Sequence, residues 1–200
     1  NPKDVFKLLE EQGKQLAPSF VFVDPFGPTG FPMELISKLA AQPRAEVLIN
    51  FAYQSLNQWF ISDPKKHHRL DELYGNDTWR AGLLMATPRE KEAFFVQKYK
   101  EALLSLGWHV PTFRMVNKHN QTQYYLYFGT KHYMGHLEMK RAMWAGDPQG
   151  NFNYSDLNNP NQASLFSTGR DDEYSENLAE LICQNRKGTT VPKQSIIENE

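Results

Sequence analysis

Two predominantly apolar runs, Ser19-Phe20-Val21-Phe22-Val23 and Val47-Leu48-Ile49-Asn50-Phe51, constrain this chain more than any other feature. Each is rich in β-branched and aromatic residues, the pattern of a strand buried on both faces. Pro18 precedes the first run and Asp24-Pro25 follows it. Between the runs, Gly27-Pro28-Thr29-Gly30-Phe31-Pro32 has the punctuation of a loop, and residues 32–40 have helical spacing with Pro32 in the first turn. Strand, loop, helix, strand is a crossover unit, so the two strands are expected to lie parallel in one sheet with a right-handed connection. Val21, Phe22 and Val23 are expected to be almost fully buried in it.

The remaining elements turn that unit into a mixed sheet. Residues 4–12 set Val5, Leu8 and Leu9 on one helical face before Gly13, and 53–85 read as a polar, mostly helical insertion. The longest helical pattern covers 89–106, with Ala93, Phe94, Val96, Tyr99, Leu103, Leu104 and Leu106 as its apolar stripe. Residues 110–116 and 122–130 are strand patterns separated by Asn117-Lys118-His119-Asn120-Gln121, which predicts an antiparallel hairpin. A helix over 132–145 ends in the turn residues Gly146 to Gly150. The fold class is therefore α/β, in a domain spanning 1–152. Polar composition reads 153–174 as a linker, and helical spacing restarts over 175–200.

Lys plus Arg number 22 against 23 Asp plus Glu, a net charge of −1 that argues against a purely electrostatic nucleic-acid or membrane binder. The single Cys183 excludes an intramolecular disulfide framework and a multi-cysteine metal site. No apolar run is long enough for a membrane span, and NPKDVFKLLEEQ is not a signal peptide. A cytoplasmic, non-membrane protein is expected.

Ligands of open α/β sheets sit beyond the carboxyl ends of the parallel strands. Asp24-Pro25-Phe26-Gly27 follows the first strand directly: a carboxylate on rigid backbone, a stiff turn, a flat apolar ring and a glycine that admits close approach. An aspartate there equally suits a helix cap or an Asx turn. Asn50, at the end of the second strand, both donates and accepts, and Tyr53 follows it; an Asn there also suits a turn. Lys131-His132 could meet an anion, although a solvated pair at a helix start accounts for them as well. His67-His68 has no carboxylate or cysteine at metal-ligand spacing, so no metal is expected. Tyr124, Tyr125, Tyr127 and Phe128 read as core and sheet face rather than as a base-stacking platform.

Taken in order, Phe20-Val21-Phe22-Val23-Asp24-Pro25-Phe26-Gly27, Glu46-Val47-Leu48-Ile49-Asn50-Phe51, Leu70-Asp71-Glu72-Leu73-Tyr74-Gly75, Thr130-Lys131-His132 and Ala142-Met143-Trp144 with Asp147-Pro148 closely resemble the three-Cys-motif partner (TcmP) family. The resemblance implies a Rossmann-like, S-adenosylmethionine-dependent methyltransferase fold followed by a winged-helix-like tail, and a three-Cys-motif protein as partner. It implies that the four strands are the fourth to seventh of that fold, the last two forming its antiparallel hairpin. The glycine-rich turn and the acidic residue that bind the cofactor there have no counterpart here, so the chain is expected to begin before strand four and to stop early in the winged helix. Asp24-Pro25-Phe26-Gly27 is similar to the Asp/Asn-Pro-Pro-aromatic signature of amino-methyltransferases, with Phe26 one position early and Gly27 in the place of the aromatic. The implied roles are Asp24 as the acceptor-orienting catalytic residue assisted by Asn50, with Pro25, Phe26, Gly27, Tyr53, Lys131 and His132 on the substrate side. The implied chemistry is N-methylation of a nucleic acid or of a modified partner. The alternative is a non-catalytic adaptor with a degenerate methyltransferase fold.

Overall fold

The computed structural model describes residues 2–25, 31–117, 119–147 and 153–155, all within one compact unit, Asn1–Asn159. Strands β1 (Ser19–Val23), β2 (Ala45–Phe51), β3 (Thr112–Val116), β4 (Thr122–Gly129) and β5 (Asn153–Ser155) form one mixed sheet in the order β1-β2-β4-β3-β5. β1 and β2 are parallel, with Val21 opposite Val47, and β4 runs antiparallel to both β2 and β3. β1, β2, β3 and β5 therefore share one direction and β4 alone opposes it. The expected α/β class, crossover unit and hairpin are all present, in an arrangement consistent with a Rossmann-like fold. β5 falls where composition alone reads as linker, and the reading of 175–200 lies outside the described residues.

The helices are α1 (Pro2–Glu11), α2 (Met33–Ala40), α3 (Tyr53–Leu56), α4 (His67–Tyr74), α5 (Pro88–Leu104) and α6 (Tyr133–Gly146). α5 begins where Thr87 and Glu90 form a reciprocal capping box, with Pro88 just inside the first turn. One sheet face carries Val23, Val47, Ile49, Phe51 and Tyr127 into the main core, against Ile36, Leu70, Trp79, Phe95, Tyr99 and Leu103. At its centre Phe51 stacks on Tyr99 at 4.6 Å, and Tyr127 meets both rings edge-on. Tyr127 and Tyr74 each send a hydroxyl to a carbonyl of α5, at Val96 and Phe95, so the buried phenols are satisfied.

Three expectations about burial are corrected. Phe22 is 56% exposed and Phe20 58%, while only Val23 of β1 is buried, because β1 is an edge strand among the described residues and its side chains alternate between the core face and the other face. α1 buries Phe6 and leaves Val5 and Leu8 exposed. On α5 the core stripe is Phe95-Tyr99-Leu103, a strict four-residue spacing; Ala93 and Leu104 face outward. The insertion, polar on average, still supplies Leu56, Leu70 and Trp79 to the centre of the core. No helix among the described residues is long and apolar enough to cross a membrane.

Candidate functional site

Because β1, β2 and β3 point the same way, Asp24, Ala52 and Asn117 stand at one rim of the sheet, together with the start of β4. The parallel register sets Val23 opposite Ile49, so the next residues, Asp24 and Asn50, lie side by side. Asn50 Nδ2 donates to Asp24 Oδ1 over 2.8 Å. Asp24 is exposed and does not cap α2, whose N-cap is Pro32 without a side-chain cap bond. A carboxylate only accepts, so the amide nitrogen of Asn50 must face it and Oδ1 must point away. That Oδ1 is buried and has no hydrogen-bond partner among the described residues. An orphan acceptor of this kind costs about 1–3 kcal/mol unless something supplies a donor. Asn50 and Pro25 border a cavity of about 10 Å³, walled by Val23, Phe31, Leu56 and Tyr99, which is room for one water.

The other anticipated residues divide. Phe26 and Gly27 lie outside the described residues. Tyr53 is not an apolar wall beside Asp24: it is buried at the start of α3 and lines a separate cleft with Glu92 and Arg114. Lys131 and His132 follow β4 at the opposite rim, where Gly129 pairs with Val47 and Thr130 bridges to His109. Leu126 is the partner of Asn50, so Lys131, two residues past the end of β4, is five residues further along the chain, about 17 Å away at ~3.4 Å per residue. They do not share a crevice with Asp24. Thr130 donates to Glu46 over 2.8 Å and accepts from the His132 backbone N–H, a structural lock at the entry to α6.

Glu92 and Arg114 escaped the sequence reading. The available signal was an arginine inside the apolar strand Thr112–Val116; nothing marks Glu92 among the other charges of α5. Arg114 Nε donates to Thr122 Oγ1 over 2.8 Å, and the Thr122 hydroxyl in turn donates to Glu92 Oε1. The Tyr125 hydroxyl donates to the same oxygen over 2.7 Å. Burial raises the pKa of both Tyr53 and Tyr125, followed by the Glu92 charge at Tyr53 and by the hydrogen bond to Glu92 and then its charge at Tyr125, so both phenols stay protonated at physiological pH.

Asp71, within the motif Leu70 to Gly75, is committed to structure. It receives the Trp79 indole N–H over 2.9 Å and a two-pronged contact from Arg80, whose guanidinium also lies over the Trp79 ring. No cluster of His, Cys, Asp and Glu suited to a metal occurs among the described residues. No protein-family model, curated protein or solved structure matches the chain.

Proposed function

We propose that the chain forms the acceptor side of an S-adenosylmethionine-dependent methyltransferase of the three-Cys-motif partner type, which methylates a nitrogen of a nucleic acid or of a modified partner. The observation that carries this reading is the Asp24–Asn50 pair: a carboxylate and an amide joined at 2.8 Å at the carboxyl ends of adjacent parallel strands, with the amide oxygen unpaired. An amine placed at the exposed Asp24 donates a hydrogen to its carboxylate, which Asn50 Nδ2 holds in place from the neighbouring strand. Methyl transfer to nitrogen depends chiefly on such alignment. The parallel pair β1–β2 and the hairpin β3–β4 in the same sheet agree with the arrangement that the resemblance implies for strands four to seven.

Among the described residues, the cavity touching Asn50 admits a water and not a nucleoside, so the residues lining it do not fit the methyl donor, and none is assigned to it. The test is transfer of a tritiated methyl group to cellular nucleic acid by the protein, with and without Asp24→Ala. Full activity in that variant would overturn the assignment.

One observation favours a second reading. Phe20 and Phe22 stand exposed on β1, an edge strand among the described residues, as a surface for a protein partner would. A non-catalytic adaptor would use them to hold a three-cysteine protein. It would lose that partner in Phe22→Ser and be indifferent to Asp24→Ala.

A further inference from the structure

A cleft of about 330 Å³ opens at the same rim, between α3, the start of α5 and the turn from β3 to β4. It is large enough for a single heterocycle. Its polar floor is wired in place by the chain Arg114 Nε to Thr122 to Glu92 Oε1, with Tyr125 holding the same carboxylate oxygen. That wiring uses one edge of each charged group. Among the described residues, the terminal amino groups of Arg114 and the second oxygen of Glu92 have no protein hydrogen bond, nor do the side-chain amides of Gln54 and Asn57 on the cleft wall.

A fixed fork of N–H donors beside a fixed carboxylate selects a flat ligand that offers a pair of acceptors next to a pair of donors. Guanine has that sequence of groups: O6 and N7 accept, and N1–H and the N2 amino group donate on the adjoining edge. Adenine turns an amino group toward the arginine fork and has no donor pair for the carboxylate. We propose that the cleft holds an unpaired guanine of a single-stranded nucleic acid, with Arg114 on O6 and N7 and Glu92 on N1 and N2. The inference rests on the reading above only in taking nucleic acid as the polymer. β2 and β3 are separated by β4, which sets Arg114 about 10 Å across the sheet from the strand carrying Asn50, so the guanine is a neighbour of the reacting nucleotide and not the reacting group.

The test is a fluorescence-anisotropy titration of the 200-residue chain with labelled thymidine decamers carrying one central dG or one central dA. The dG oligomer is expected to bind about tenfold tighter, the discrimination of one good bidentate base contact. Arg114→Lys keeps the charge and loses the fork, and Glu92→Gln keeps both hydroxyl bonds and loses the second acceptor; each should abolish the preference. Asp24→Ala should leave it intact. Equal affinity for dG and dA in the wild-type chain, or no binding to either, overturns the proposal even if a variant misfolds. A dG preference without methyl transfer would sink the methyltransferase reading alone. Methyl transfer without a dG preference would sink the guanine site alone.

Discussion

Asn50 Nδ2 lies 2.8 Å from Asp24 Oδ1 because the register of two parallel strands pairs residues 26 positions apart in sequence, and the pair continues that register one step beyond Val23 and Ile49. Neither side chain caps a helix. Backbone pairing sets the separation, and loop conformation has little part in it. Removing either group should therefore disturb the site more than the fold. Asp24→Ala and Asn50→Ala are expected to change stability by about 1 kcal/mol, since the one hydrogen bond lost is exposed to solvent and in Asn50→Ala the loss is offset by removal of the unpaired Oδ1. Methyl transfer should fall roughly a hundredfold, the scale set by loss of alignment. Thermal melts beside a tritiated-methyl assay read both quantities, and a large stability loss with activity retained would mark the pair as structural.

Lys131 and His132 emerge at the amino ends of β1 and β2, away from the Asp24 rim. Lys131→Ala and His132→Ala are expected to leave acceptor KM and kcat unchanged. A raised KM in either would mean that the acceptor extends over the opposite end of the sheet.

Gly129 closes β4 against the Trp108 ring, and a Cβ built there would fall inside the indole. Both backbone and ring are buried, so neither yields cheaply. Gly129→Ala is expected to cost about 1–3 kcal/mol, the range for overpacking a filled core. A urea melt with unchanged slope and a lowered midpoint would show it; an unshifted midpoint would mean that Trp108 can rotate away.

Among the described residues, the cavity beside Asn50 has room for a water and not for a nucleoside, and these 200 residues lack the glycine-rich turn that the resemblance associates with the methyl donor. Calorimetric titration of the 200-residue chain with S-adenosylmethionine should give no saturable heat in the micromolar range. Micromolar binding would place a donor site among these residues.

Periodicity and punctuation were enough to anticipate the crossover unit, the hairpin and the Asp24–Asn50 neighbourhood, because those features follow from local patterns and a parallel register. Composition was a poor guide to burial. Phe20 and Phe22 look like core residues in sequence, yet they are exposed because nothing in the run says which strand will lie at the sheet edge. The Glu92–Thr122–Arg114 chain links α5, β4 and β3 across separations of up to 30 residues, and only the folded sheet brings them together. Tyr53 was misplaced for the same reason: its neighbours come from distant elements.

Asp71 provides a pH test that is independent of function. The hydrogen bond from Arg80 is the main influence on its carboxyl and lowers its pKa below the ordinary 3.8, outweighing the opposing effect of burial. A folded-state pKa below the unfolded one means that the carboxylate stabilises the fold at every pH above the unfolded value. That contribution is lost as pH falls from about 3.8 through the lower folded value. The pair is over one-third exposed, so solvent screening keeps its contribution small. In Asp71→Asn the amide oxygen can still accept the Trp79 indole N–H, while the charge is gone. The variant is expected to be modestly less stable than wild type at neutral pH, and the two should converge as pH falls from about 3.8 through the lower folded value. Urea midpoints measured from pH 3 to pH 7 follow this difference. A gap that stayed constant across that range would mean that the contribution of Asp71 comes from its shape and its bond to Trp79, with no part played by its charge.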